Sequence, residues 1–171
     1  MTKDEPPSPG SQAAGLQRII CIDAHIARKR MEVKLSGHAN ISGSNGSGKT
    51  TLLKLVPFFY GATPIELVER VGKKTSFTDY YLARPTSLII FEYMTARGLK
   101  CAVAYRHASG TKPAYRFLDE PFSVENFSEI KDREPVFIEG PALGRHWTLL
   151  QLGHSKQLDT VIDYRAVIQG D

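Results

Sequence analysis

The sequence is constrained most by a glycine-rich segment at residues 43–50, Gly-Ser-Asn-Gly-Ser-Gly-Lys-Thr. The residues before it, 39–42, predict a short strand. After it, apolar residues recur at the spacing of a helix, so a helix is expected to begin near Gly48. Pro57 is expected to kink or end that helix. A strand, a loop of the form G-x-x-x-x-G-K-T and a helix, in that order, predict a phosphate loop. The apolar residues at helical spacing are Leu52, Leu55, Val56 and Phe59.

Each residue type in this loop has a physical reason to be there. Successive backbone N–H groups in a tight turn, followed by a helix N-terminus, hold phosphate groups without water. Glycines permit the backbone angles and the close approach that such a turn needs. Lys49 is expected to place its ammonium group against the β- and γ-phosphates, and Thr50 to offer its hydroxyl to Mg²⁺. We therefore expect ATP, or GTP as the second choice, bound with Mg²⁺. The expected nucleotide-contacting residues are Gly43, Ser44, Asn45, Gly46, Ser47, Gly48, Lys49, Thr50 and Thr51.

Strand patterns occupy much of the remaining chain. Residues 31–35 alternate strictly between apolar and polar side chains, which is typical of a half-buried strand. Arg97-Gly98 and Ser109-Gly110 predict hairpin turns between strands. Helical segments are expected at residues 65–70 and 158–166. The predicted fold class is α/β, with antiparallel strands added to a nucleotide-binding core. The other predicted strands cover residues 16–23, 87–93, 99–105, 114–118 and 135–138.

Composition restricts the setting of this domain. Residues 1–15 include three prolines and little to bury, so they are expected to be a disordered leader before one domain over residues 16–171. Cys21 and Cys101 lie in apolar segments without metal or disulfide spacing, which predicts buried thiols in a reducing cytoplasm. No apolar run approaches the roughly 20 residues of a membrane span. The net charge of +4 permits an anionic partner without requiring one.

A complete hydrolytic site also needs an acidic residue that binds the metal. One segment of the sequence resembles the place where such a residue occurs. The segment Leu118-Asp119-Glu120-Pro121 resembles the end of a metal-binding strand in ABC-type ATPases, but Arg116 interrupts the apolar run before it. A surface turn is the better interpretation. Leu35-Ser36-Gly37, which imitates the start of an ABC signature motif, is likewise interpreted as a tight turn.

The opening strands, the loop GSNGSGKT and the late Val-Ile-Gln-Gly segment together resemble the N-terminal half of the ATPase head in the SMC superfamily, which includes cohesin- and condensin-like proteins. The segments Pro57-Phe58-Phe59-Tyr60-Gly61 and DYRAVIQGD are most similar to large bacterial ATP-binding proteins of this type. The resemblance covers residues 16–171 and implies a P-loop NTPase half-head. It also implies that the sequence is a fragment of a longer protein with a coiled coil and a C-terminal lobe.

The resemblance implies further roles and partners. Gln169 matches the family's Q-loop glutamine, so it is expected near Mg²⁺ and the attacking water as a metal-contacting and catalytic residue, together with Lys49. A second ATPase head, in a homodimer of the full protein, is the expected partner, with double-stranded DNA and accessory subunits beside it. Basic residues that are candidates for phosphate or DNA contact, with a solvated surface as the alternative, are Arg28, Lys29, Arg30, Arg70, Lys73 and Lys74.

The sequence is consistent with two functions from different classes. The first is ATP binding, and hydrolysis with the missing parts, in an SMC-like machine that tethers or translocates DNA for chromosome maintenance, repair or anti-plasmid and phage defence. The second is a stand-alone P-loop nucleotide kinase or small GTPase. No Asn-Lys-x-Asp guanine-reading segment occurs in the sequence, and residues 87–140 predict β-hairpins instead of a helical lid.

Overall fold

The computed structural model describes residues 15–24, 30–36, 40–42, 51–64 and 76–170 of the chain. The glycine loop at residues 43–50, most of the predicted leader and the predicted helical segment at residues 65–70 therefore lie outside the described residues.

A six-stranded sheet forms the centre of the described structure. Its strands lie in the order β3-β2-β1-β4-β5-β6, and all five pairings are antiparallel. A separate two-stranded hairpin follows β6. The strands of the large sheet are β1 (Gly15–Ile22), β2 (Arg30–Ser36), β3 (Asn40–Ser42), β4 (Leu88–Thr95), β5 (Gly98–Arg106) and β6 (Pro113–Leu118), and the hairpin consists of β7 (Ser128–Lys131) and β8 (Glu134–Phe137).

Four α-helices are described beside these strands. Residues 51–53 are also helical and are separated from the first of the four by a turn at residues 54–55. Pro57 stands in the first turn of that helix, where its missing N–H group costs nothing. The helical residues are thus interrupted just before Pro57, where the sequence predicts a kink or an end. The helices are α1 (Val56–Phe59), α2 (Phe77–Tyr81), α3 (Leu143–Leu149) and α4 (Val161–Gly170), with 3₁₀ turns at Val124–Phe127 and Gly140–Ala142.

Four strands of the sheet, β1, β4, β5 and β6, are buried on both faces. Alternate residues along a strand point to opposite faces, so each of these four strands supplies two cores. The first face, rich in aromatic residues, packs against α1, α2 and α4, and its buried residues include Ile19, Phe58, Phe91, Tyr115 and Tyr164. The second face packs against the segment between β6 and α4. Its buried residues include Ile20, Val103, Phe127, Leu143 and Trp147.

A charged cluster closes one corner of the second face. Arg18 on β1 lies between Glu32, at 3.0 Å, and Glu92, at 2.9 Å. Glu92 also accepts a hydrogen bond of 2.8 Å from the backbone N–H of Phe122. The Phe122 ring lies 5.1 Å from the guanidinium carbon of Arg18 and at the same distance from that of Arg30. Burial lowers the pKa of Arg18, but its bonds to Glu92 and Glu32 outweigh that effect and raise the pKa. The cluster ties the segment after β6 to β1 and β2.

The strand predictions are confirmed at all six segments of the large sheet and at β8, with end shifts of a residue or two. The hairpin turns at Arg97-Gly98 and Ser109-Gly110 are confirmed, and Gly98 and Gly110 have φ angles of 110° and 78°. Both cysteines are buried free thiols, as predicted. The helix predicted from residue 158 begins only at Val161, because the backbone of Leu158 pairs with that of Tyr115. The elements β7 and α3 and the two 3₁₀ turns were not predicted.

We predict that Glu92→Gln lowers the free energy of unfolding by about 1–3 kcal/mol, because a buried charge-assisted contact is weakened while its partners stay in place. Urea unfolding, followed by the fluorescence of the single tryptophan, Trp147, measures the change. Glu129→Gln is the control, because Glu129 and its partner Lys131 are exposed, and a loss below about 0.5 kcal/mol is expected there. Equal losses in the two variants would contradict the role given to Glu92.

Candidate nucleotide-binding site

The two flanks of the glycine loop are described, and they fix the end of the sheet at which the loop begins. Strand β3 is antiparallel to β2, and β2 is antiparallel to β1, so β3 runs in the same direction as β1. Ser42, the last residue of β3, pairs with Lys34, and Lys34 pairs with Arg18. The chain therefore leaves β3 toward the end of the sheet where β1 finishes at Ile22. We refer to this end as the loop end.

After the loop, the helical residues run back across the first face of the sheet. Leu52 and Leu55 are buried in its core. Phe59, at the end of α1, lies with its ring centroid 5.4 Å from that of Phe91 and 5.2 Å from that of Tyr93. Tyr93 belongs to the half of β4 next to its hairpin with β5, which is the end away from Ile22. The helical segment thus starts at the loop end and finishes near the β4–β5 hairpin.

Helix α2 lies against the first residue of that segment. The hydroxyl of Tyr81 donates to the carbonyl oxygen of Thr51 at 3.5 Å, a long contact. Burial raises the pKa of Tyr81 to about 12, with smaller contributions from Tyr80 and Cys21. The hydroxyl therefore keeps its proton at physiological pH and remains a donor. Thr51 is the only expected nucleotide-contacting residue of the loop region within the described residues.

A network of hydrogen bonds holds the backbone at the loop end. Asp23 follows β1 in a left-handed conformation, with a φ angle of 47°. Arg84 donates to the Asp23 carboxylate at 3.0 Å and to the carbonyl oxygens of Asp23, at 3.0 Å, and Ala24, at 2.9 Å. The hydroxyl of Thr86 donates to the same carboxylate, and that of Ser87 donates to the Asp23 carbonyl oxygen at 2.6 Å. These bonds fix where β1 ends relative to the start of β4.

Gln169 lies at the other end of the sheet from Thr51. It is exposed in the last turn of α4. The next residue, Gly170, lines a surface cavity of about 270 Å³ together with Thr95, Ala96, Arg97 and Lys100 of the β4–β5 hairpin. The structure therefore does not bring Gln169 and Thr51 together, and the expected metal-contacting and catalytic role of Gln169 stays a prediction.

The segment that imitates a metal-binding strand end begins with the last residue of β6 and continues into a bend. Asp119 follows β6, and its backbone N–H donates to the carbonyl oxygen of Gly153 at 2.9 Å. Its carboxylate is half exposed and lies 3.4 Å from the ammonium of Lys100. The interpretation as a surface turn is confirmed for the bend at residues 119–120, whereas Leu118 is the buried last residue of β6. Within the ranges that the structure covers, no group of three or more His, Cys, Asp or Glu residues is placed to hold a metal ion.

Two contacts at the far end of the helical segment were not predicted. Tyr164 and Arg165 of α4 donate to the carbonyl oxygens of Phe59 and Gly61. The residues in contact are 105 and 104 positions apart in the chain, and no local pattern in the sequence marks them.

A family model described as "Protein of unknown function (DUF3584)" matches residues 20–171. The chain belongs to this family. No curated protein matches the sequence. Among the helices in the described ranges, none combines the length and the apolar character needed to cross a membrane. The family match covers both flanks of the glycine loop, helix α4 and, in chain order, the strands β2 to β6.

We predict that Arg84→Gln lowers the free energy of unfolding by about 1–3 kcal/mol, because Arg84 is the shared donor to three oxygen atoms at the loop end. Urea unfolding measures this loss. Arg145→Gln is the matched control, since Arg145 is exposed on α3 and a change within about 0.5 kcal/mol is expected there. A loss for Arg84→Gln no larger than that of the control would show that the network does not hold the loop end.

Proposed function

We propose that the chain binds Mg²⁺·ATP through residues 43–50 and serves as the N-terminal lobe of an SMC-like ATPase head in the cytoplasm. The observation that carries the proposal is the context of the GSNGSGKT segment. A described strand ends at Ser42, described helical structure is present from Thr51, and the eight residues between them carry the complete phosphate-loop pattern.

The packing of the flanks supports an anion-binding role for the loop. The helical segment is held against the sheet by Leu52, Leu55, Phe58 and Phe59, all buried. A helix held in this way presents the unpaired N–H groups of its first turn to whatever occupies the loop, and its dipole favours negative charge there. Gly43 to Gly48 supply further N–H groups, and Lys49 and Thr50 supply the charge and the metal-binding hydroxyl. Thr51 begins the described helical residues directly behind them.

The antiparallel strands after the helix favour a head lobe over a nucleotide kinase or GTPase. Residues 88–118 form three strands joined by hairpins, where a kinase would carry a helical lid. The sheet also has two different edges. The backbone of residues 153–158 bonds to β6 at one edge, while no described strand pairs with the outer side of β3 at the other. An edge that the described strands leave open suits a further lobe of the same head.

A half-head of this kind needs partners to complete its chemistry. ATP would supply the transferable phosphoryl group, and Mg²⁺ would neutralise its charge next to Thr50 and Lys49. The acid on the metal and the signature motif belong, in this proposal, to a C-terminal lobe and a second head. Double-stranded DNA and accessory subunits are the further proposed partners, with tethering or translocation of DNA as the output.

We predict that Lys49→Ala weakens binding of Mg²⁺·ATP by more than about tenfold, because a charge-assisted contact with phosphate is lost. Calorimetric titration measures the affinity, with GTP as a competitor to test base preference. Lys54→Ala is the matched control: Lys54 is an exposed lysine five residues further on, and its loss is expected to leave both affinity and stability unchanged. ATP affinity that survives Lys49→Ala would remove the loop from the proposal.

We also predict that the 171-residue chain hydrolyses ATP far more slowly than about 1 per second, the lower end of ordinary enzyme turnover. The reason is that the proposed site is divided between two lobes and two heads. A phosphate-release assay on purified protein, with Lys49→Ala as the blank, gives the rate. Turnover at or above that figure that is lost in the blank would favour the self-contained kinase or GTPase.

A further inference from the structure

The helical segment behind the glycine loop is fastened at its far end by two side chains of α4. The hydroxyl of Tyr164 donates to the carbonyl oxygen of Phe59 at 2.7 Å. The Arg165 guanidinium donates twice to the carbonyl oxygen of Gly61, from Nη2 at 2.6 Å and from Nε at 3.2 Å. The last carbonyl groups of a helix have no partners within the helix, so donors from outside satisfy them, and a cation there also complements the helix dipole. We name these contacts the α4 clamp.

The Tyr164 hydroxyl is held in place by its surroundings. Tyr164 is 1% exposed, and its ring lies 5.4 Å from that of Phe117 and 4.8 Å from that of Tyr115, measured between centroids. Burial raises the pKa of Tyr164 well above its ordinary value, so the hydroxyl stays protonated and can only act as a donor to the Phe59 carbonyl oxygen. The bond therefore holds the end of α1 at a fixed place in the aromatic core.

The Arg165 contact depends on a glycine. Gly61 has a φ angle of 98°, a conformation that residues with a side chain rarely adopt. A Cβ atom added at Gly61 would also lie 2.9 Å from Nε and 3.0 Å from Cγ of Arg165. The glycine lets the chain turn sharply after α1 and lets the guanidinium reach its carbonyl oxygen.

We propose that Tyr164 and Arg165 are positioning residues for the phosphate loop. The inference rests on the proposed ATP binding at residues 43–50. Residues 51–59 span roughly 13 Å, and the turn at 54–55 with Pro57 weakens the helix in its middle. Buried side chains hold this short segment on the sheet, and the two hydrogen-bonding side chains of α4 add fixed points at its far end. The α4 clamp fixes its far end, so it sets where the first turn and the loop amides stand relative to the phosphates.

The first test compares two Tyr→Phe variants from the same aromatic core. Tyr164→Phe removes the hydroxyl that bonds to α1. Tyr115→Phe removes a hydroxyl that makes no hydrogen bond to residues 51–61, as far as the described structure extends. We expect Mg²⁺·ATP affinity, measured by calorimetry well below the melting temperature, to fall about fivefold in Tyr164→Phe and to stay within twofold in Tyr115→Phe. Equal affinity in the wild type and Tyr164→Phe would overturn the proposal.

A second readout needs no nucleotide. Amide hydrogen exchange in residues 51–61 should become faster in Tyr164→Phe and in Arg165→Gln, but not in Tyr115→Phe. Arg165→Lys, which keeps the charge but loses the paired donors, should recover only part of the protection. Unchanged exchange in Tyr164→Phe and Arg165→Gln would show that the clamp does not hold the helix.

The two readouts separate this inference from the function on which it rests. If the wild type binds no ATP and Lys49→Ala changes nothing, the proposed function fails, and the clamp, whatever its effect on exchange, positions no phosphate site. If the wild type binds ATP and Lys49→Ala does not, the function stands. The affinity ratio between Tyr164→Phe and Tyr115→Phe then decides the positioning role alone.

Discussion

The burial of two adjacent aromatic side chains, Phe58 and Phe59, against the first face of the sheet is the contact on which the rest of the structure depends. Their rings pack on Phe91 and Tyr93 of β4, and the Phe58 ring also stacks on Phe77 of α2, with 4.6 Å between centroids. Removal of one such side chain from a core typically costs about 3–5 kcal/mol. A short, kinked helical segment gains little from its own hydrogen bonds. This packing therefore holds the segment behind the glycine loop on the sheet.

The first face of the sheet packs against that helical segment, and the second face is covered by a different part of the chain. The segment between β6 and α4 supplies Phe127, Leu143 and Trp147 to the second face, and the cluster of Arg18, Glu92 and Phe122 fixes its entry. The loop end, by contrast, is held mainly by polar contacts around Asp23. One end of the helical segment thus meets the proposed nucleotide, and the other meets α4. The proposed nucleotide binding and the proposed α4 clamp would together link occupancy of the loop to the position of α4, which suits a head lobe whose output lies beyond the lobe itself.

The sequence predicts the parts of this structure that have a local cause. Alternation of apolar and polar residues gives β2, and glycine turns give the β4–β5 and β5–β6 hairpins. The nucleotide expected from the loop pattern stays a prediction. Elements without a strong period, such as β7 and α3, escape prediction. Most of β7 is exposed, and α3 is fixed by the burial of Leu143 and Trp147 in the second core. The start of α4 shifts because the backbone of Leu158 finds a partner in β6. The α4 clamp joins residues more than a hundred positions apart, and only the fold brings them together.

If the backbone N–H groups of residues 43–50 enclose a polyphosphate, bound nucleotide should shield them from solvent. Amide hydrogen exchange of the wild-type chain, read with and without Mg²⁺·ATP, tests it most directly. We expect strong protection on ATP addition that is centred on residues 43–50, extends into residues 51–53 and requires Mg²⁺. Protection confined to another part of the chain, or an identical pattern with and without nucleotide, would contradict it.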